Sequence, residues 1–357
     1  MFNLFQNIHV DWLGKRKYFI AFSCLVMLTG LVSTIGRQYT GGTPFNLGVD
    51  FKGGTVVTAK FKGQRPSDDD LRAALNKVGV ADPVIQASTD KSDEVLIKIP
   101  LLENTDENAS PNAQQAEAGR ATVKQALDTF GKEAEGDTQL QDAPDATYKI
   151  VGHDSVGAVA GSKLRNQAVT ATLFGLAGIL LFLAFRYDWT YAVGAVLAVF
   201  HDVLMVVAFF SVFQWEINLT VIAALLTIVG FSVNDSIVIF DRVRENLQFN
   251  RTDSLFKITN DSINQTLSRT IITSGLVLLS VLALVLFGGE VLKSFSLALL
   301  VGVVLGTYST IAIASPIAIW WQNKLGDSRV KEVLVPQKGE KLASSSRRSV
   351  TRRPVTR

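Results

Sequence analysis

The chain has 357 residues, of which 48% are hydrophobic and 19% charged, with a single cysteine. It is longer than one average soluble domain, and a disulfide scaffold is excluded. The 35 Lys and Arg against 32 Asp and Glu give a formal +3, too small to argue for nucleic acid.

Mean hydropathy is +0.26, high for a soluble protein and low for a chain lying mostly in membrane, so the placement of the charges decides the class. Residues 18–36 carry no Lys, Arg, Asp or Glu and follow Lys15, Arg16 and Lys17. That is also the charge pattern of a secretory signal. The run is longer than a usual signal core, and Ile35-Gly36-Arg37 is a poor cleavage site, so 18–35 reads as a retained first span.

Residues 36–165 read as a folded domain. Gly54–Phe61 is rich in β-branched residues and predicts a strand. Ser67 reads as the N-cap of a helix running to Val78, with Asp70 at the capping-box position and Gly79 as the stop. Pro83–Ser88 and Glu94–Ile99 predict two strands joined by a hairpin turn over 89–93. Ala113–Phe130 predicts a helix and Thr147–Val151 a last strand, while the polar stretch 131–146 reads as a mobile loop. Strand, helix, strand, strand, helix, strand is the order of a ferredoxin-like α+β sandwich.

Uncharged windows recur at 166–185, 270–289 and 294–323. Two further spans have one interruption each, His201-Asp202 within 189–215 and Asn234-Asp235 within 217–240. The expectation is a polytopic α-helical membrane protein with six transmembrane helices. After the domain comes a five-helix bundle over 166–323, at about 166–185, 189–213, 219–240, 268–288 and 296–321. Lys and Arg concentrate in 1–17, in the loops after the second and fourth spans and in the tail 324–357, which places both termini in the cytosol. The near-neutral sum then separates into −4 for residues 36–167 and +10 for the cytosolic segments.

An ionisable residue within a membrane helix is costly, so it normally faces a partner or a water-filled path. Asp235 is the first candidate. Arg269, one residue before the uncharged window 270–289, can pair with it, reach it through a polar path, or snorkel to headgroups. Burial favours the protonated carboxyl and a nearby guanidinium the ionised one, so such a pair can switch and carry protons. The bland reading is static helix packing, and for His201-Asp202 the two readings stand level. Walker, HExxH, CxxC and GxSxG motifs are absent, so neither an enzyme nor a metal or other cofactor is expected.

Several segments together resemble a known family. Gly48-Val49-Asp50-Phe51-Lys52-Gly53-Gly54-Thr55 is similar to the DFxGGT element of the SecD/SecF family. Ser232–Glu245 and Ser262–Thr270 resemble its fourth-span signature and the approach to its fifth span, and His201-Asp202 also fits. The likeness covers about residues 5–325. It implies a SecF-like subunit in the resistance–nodulation–division superfamily, in the bacterial inner membrane, with a periplasmic domain. It further implies that SecD is the obligate partner, with SecYEG and YajC as neighbours and YidC as a further candidate. The pair would use the proton-motive force to promote preprotein translocation. Carried over by motif, Asp235 and Arg269 support proton passage, with Asn234, Asp202 and His201 as further candidates. Asp50, Phe51, Gly53, Gly54 and Thr55 would couple the domain to the bundle. Ser236 stands where the family often has Thr, and the tail after Pro336 is unmatched. From Lys341 onward the tail is basic without acids, which suits either anionic lipid or the ribosome, or merely reinforces topology. The alternatives are a small-molecule transporter half of the same superfamily and a non-conducting translocon scaffold.

Overall fold

The computed structural model describes residues 9–325, apart from 82, 89–91, 102–110, 135, 137, 138, 187, 188, 251 and 252. The turn expected at 89–93 lies largely outside the described residues, and the basic tail after 325 entirely so. Six stretches are helical, long and apolar enough to cross a membrane: Arg16–Tyr39, Ala160–Phe185, Tyr191–Phe213, Leu219–Phe249, Leu255–Phe287 and Val291–Lys324. A sheet domain lies between the first and second, so the chain is a multi-pass membrane protein of the expected class.

The first span is α1 (Arg16–Tyr39). A one-turn helix α2 (Val49–Lys52) leads directly into β1 (Gly54–Phe61), followed by α3 (Asp68–Lys77), β2 (Val84–Ala87), β3 (Glu94–Ile99) and α4 (Pro111–Leu127). A two-residue β4 (Lys132–Glu133) and the long β5 (Ala146–Val156) complete the sheet. The strand order β2-β3-β1-β5-β4 holds the ferredoxin-like antiparallel sheet, with β4 added in parallel at one edge. Alternation along β1 and β3 turns Val57, Ala59, Phe61, Val95, Ile97 and Ile99 to one face. There they bury against Leu71, Ala74 and Leu75 of α3 and Val123, Ala126 and Leu127 of α4. The expected cap is present, since Ser67 Oγ accepts from Asp70 N at 3.2 Å.

The reading of 131–146 as a mobile loop needs correction. Lys132 and Glu133 pair with β5, Glu133 lies 2.8 Å from Arg120 and 3.3 Å from Lys124, and Ala134, Leu140 and Ala146 form a small buried cluster. The apolar anchors are scattered singly among polar residues, so no periodicity announces them. Tyr148 sits fully buried beneath α4, its hydroxyl 2.6 Å from Asp128 Oδ1. Burial, with the hydrogen bond to Asp128, pushes the phenol well above its ordinary value of 10.0. The stability it lends is therefore complete below about pH 10 and is lost as the pH rises further. Tyr148→Phe should flatten the alkaline part of the domain's stability curve, followed by denaturant unfolding of the purified protein.

The remaining spans are α5 (Ala158–Arg186), α6 (Trp189–Phe213), α7 (Leu219–Phe249) and α8 (Leu255–Phe287), then α9 (Gly289–Ser309). A π-turn over Thr310–Ala314 joins α9 to α10 (Ser315–Leu325). The sequence predicts one regular helix over 296–321. Pro316 lacks the N–H that a regular helix would donate to Ala312, and the register is recovered by the bulge. Helices α7 and α8 run to 31 and 33 residues, roughly 46 and 50 Å, longer than a bilayer core of about 30 Å. They extend as a hairpin at the end of the bundle opposite the sheet domain. Leucine and phenylalanine side chains on α1, α5 and α8 stay exposed, the expected surface for lipid.

Helices α7 and α9 approach closely where glycine permits it. A Cβ on Gly302 would fall 2.2 Å from Ile228 Cδ1, and Ile228 is fully buried. Gly302→Val should force the two helices apart at a cost of about 1–3 kcal/mol, visible as a lowered melting temperature in detergent.

Candidate functional site

Four elements meet around the middle of α7. Leu219 begins that helix, so Asp235 lies about 24 Å along it, with fourteen further helical residues beyond. The carboxylate is therefore well inside the helix and 2% exposed. Its one hydrogen bond among the described residues comes from Ser274 Oγ of α8, at 3.3 Å. Arg269, one and a half turns earlier on α8, is close enough for its charge to act on Asp235. No ion pair within 4.0 Å joins the two among the described residues, and Arg269 remains exposed. Asn234, next to Asp235, points the other way. With Ala223, Thr227 and Gly230 it makes a small and polar exposed stripe along α7.

Asp202 belongs to a separate cluster one turn away. It is 1% exposed, and Oδ2 accepts from Ser232 Oγ of α7 at 2.6 Å and from Ser309 Oγ of α9 at 2.7 Å. Its Oδ1 lies 3.0 Å from His201 Nδ1. The other ring nitrogen of His201 is buried without a partner among the described residues, and the ring lies 6.4 Å from that of Tyr308. Tyr308 in turn bonds Ser23 at 2.7 Å and the Phe19 carbonyl of α1. Between the clusters, Ser236 Oγ of α7 and Thr310 Oγ1 of the π-turn lie 3.4 Å apart.

The five intramembrane candidates thus divide. Asp235 is buried between α7 and α8, with Arg269 exposed on α8 and near enough for its charge to act on it. His201 and Asp202 sit between α6, α7 and α9, and Asn234 lies on an open face. A buried carboxylate that accepts three polar contacts is largely satisfied, whereas one with a single long contact is not. Asp235 is accordingly the less satisfied of the two groups. The sequence reading does not single out the hydroxyls of Ser232, Ser274, Ser309 and Thr310. Their signal was the spacing of Ser232 three residues before Asp235 and the serine adjoining the future π-turn.

The second set of candidates lies at the sheet-domain end. Asp50 Oδ2 accepts from the backbone N–H of Leu219, the first residue of α7, at 2.9 Å. Phe51 is buried, and a Cβ on Gly161 of α5 would come within 3.1 Å of its carbonyl oxygen. Gly53 and Gly54 adopt φ of 82° and 138°, and a Cβ on Gly54 would lie 2.4 Å from the Ile99 carbonyl oxygen. Thr55 is fully buried and donates to the Gln115 carbonyl at 3.1 Å. The motif therefore joins the sheet to α4, α5 and the start of α7.

The loop between α6 and α7 adds contacts that the sequence does not announce. Ile217 N donates to the Asn46 carbonyl at 2.7 Å and Gly48 N to the Ile217 carbonyl at 2.8 Å. Glu216 reaches the sheet itself, 2.5 Å from Lys98 Nζ of β3 and 3.4 Å from Gln86 Nε2 of β2. Charge pattern alone assigns Glu216 to a loop and leaves its partner undefined.

Comparison with known proteins places this geometry. The family described as protein export membrane protein SecD/SecF, C-terminal, matches residues 137–324, and the SecD/SecF GG motif matches 40–64. A protein translocase subunit SecF from Koribacter versatilis is 39% identical, covering 90% of this chain and 94% of its own length. The SecF subunit of Pseudomonas aeruginosa is 38% identical, covering 87% and 91%. The crystal structure of SecDF from Thermus thermophilus, a translocon-associated membrane protein, superposes with a TM-score of 0.70 at 34% identity. That match covers 89% of this chain but only 39% of the SecDF chain. The chain belongs to the SecD/SecF family of protein-export membrane proteins, as a SecF subunit of the protein translocase.

Proposed function

We propose that this subunit works with SecD in the bacterial inner membrane, using the proton-motive force to promote preprotein translocation. Both termini would lie in the cytosol and the sheet domain in the periplasm. The observation that carries the reading is Asp235: a buried carboxylate midway along α7 that accepts from the Ser274 hydroxyl, with the Arg269 guanidinium nearby.

When Asp235 is ionised it attracts Arg269 and accepts from Ser274. When it is protonated the attraction is gone and the carboxyl can itself donate a hydrogen bond. Each proton therefore changes what holds α7 to α8. The start of α7 is bonded to Asp50, so a shift of that helix is passed to the motif and the sheet. One charge moving through about 100 mV supplies roughly 2.3 kcal/mol, and successive protons can sustain a domain movement.

The exposed stripe with Asn234 supports the partner. An amide facing lipid in mid-span is costly, and a second membrane subunit would satisfy it. SecD is the subunit that fits, with the SecYEG channel and its associated YajC and YidC as further neighbours. The test is proton flux in vesicles containing this chain and SecD, comparing the native protein with Asp235→Asn and Arg269→Met. Flux unchanged in both variants would overturn the reading.

A further inference from the structure

The residues just ahead of α1 are docked on α8 by two asparagines one turn apart. Asn260 Oδ1 accepts from Trp12 N at 3.0 Å and Leu13 N at 3.3 Å, while its Nδ2 donates to the Val10 carbonyl at 3.0 Å. Asn264 Oδ1 accepts from Val10 N at 3.3 Å and Trp12 Nε1 at 3.1 Å. Its Nδ2 donates to the Val10 carbonyl and to the Asn260 carbonyl, both at 3.0 Å. Asp11 closes the turn into α1 by accepting from Gly14 N at 2.8 Å, and Leu13 is fully buried in the core of the bundle.

A carboxamide carries both donors and an acceptor, so it can complement a peptide unit on both sides. Aspartate in either place would set a second acceptor against the Val10 carbonyl, and leucine would offer nothing. The other face of α8 is held by α7. Asn246 Nδ2 donates to Ser262 Oγ at 2.8 Å and to Gln265 Oε1 at 3.0 Å, and Arg242 Nε donates to the same Gln265 oxygen at 2.5 Å. One grip would leave α8 free to roll about the contact, and two grips on different faces prevent it.

Arg269 follows Asn264 by five residues, about 7.5 Å along the axis and roughly 140° around it. Ser274, the partner of Asp235, follows by ten. Both stand on the same continuous helix, so its rotation at Asn264 determines where they point. We infer that Asn260 and Asn264 are positioning residues. They hold residues 10–13 as a latch that fixes the rotation of α8, and with it the placement of Arg269 and Ser274 beside Asp235. The inference rests on the proton role proposed for Asp235.

The test uses the full chain with SecD in vesicles and reads two quantities, hydrogen exchange at the amides of Val10, Trp12 and Leu13, and proton flux against pH. In the double variant Asn260→Asp, Asn264→Asp, exchange should accelerate about tenfold or more. Flux should fall several-fold with a displaced pH midpoint. Trp12→Phe, which removes the indole N–H together with part of the ring and leaves the two asparagines intact, should change both in the same direction by a smaller factor and serves if the double variant fails to insert. Unchanged exchange overturns the latch. Faster exchange with the native flux and pH profile overturns the positioning role. Asp235→Asn separates the two readings, because it should remove flux and leave exchange at residues 10–13 as in the native chain. Flux surviving in that variant would defeat the proton reading on which the inference rests.

Discussion

Asp235→Asn is expected to abolish proton flux and reduce export to the level seen without a proton-motive force, with the subunit still inserted and bound to SecD. The substitution is close to isosteric. Its carbonyl oxygen can still accept from Ser274 Oγ, which lies 3.3 Å from the native carboxylate, so packing between α7 and α8 should survive. What it cannot do is bind and release a proton at that point. Arg269→Met keeps most of the side-chain length and removes the charge, and a large but incomplete loss is expected. The counterpart at Asp202 differs in kind. Asp202→Asn should weaken the contacts from Ser232, Ser309 and His201 together, so its first effect is on assembly of the bundle. Normal flux and export in the Asp235 variant would remove the mechanism. An equal export defect in the presence and absence of a proton-motive force would favour a scaffold instead.

Four of the six spans were legible because absence of charge over about twenty residues has few other causes in a folded chain, and the other two because a single polar pair interrupts each apolar run. The sheet domain was legible from its β-branched strands and from Ser67 and Gly79, which punctuate α3 by local chemistry alone. The π-turn was not legible, since Pro316 announces a disturbance without saying whether the helix kinks, breaks or bulges. Asp235 and Arg269 drew attention as charges in apolar sequence, but distances between α7 and α8 depend on packing. The division of the polar residues into two clusters therefore had no local signal. The asparagines of α8 were hidden for a similar reason: Asn260 and Asn264 share a helical face, but the backbone they bind lies about 250 residues away in sequence.

The link between sheet and bundle gives the second large effect. Lys98 and Glu216 approach to 2.5 Å with side chains only 14% and 10% exposed, and Gln86 shares the same carboxylate oxygen. Removing one partner of such a pair leaves an uncompensated charge in a poorly hydrated place, at a cost of about 3–5 kcal/mol. Gly48 packs against that carboxylate so tightly that a Cβ there would fall 2.6 Å from Glu216 Oε1, so the loop has little room to adjust. Lys98→Glu sets two carboxylates against each other and should part β3 from the loop that starts α7. Export is expected to fall sharply while Asp235-dependent proton flux continues, because the contact lies at the domain end, away from Asp235. Adding Glu216→Lys restores opposite charges in reversed order and should recover a substantial part of export. Measuring export and flux in the same vesicles separates a lost coupling from a lost proton path. Loss of both together, with no recovery in the reversed pair, would mean that this contact only stabilises the fold and that force reaches the sheet through Asp50 and the backbone of residues 46–48 alone.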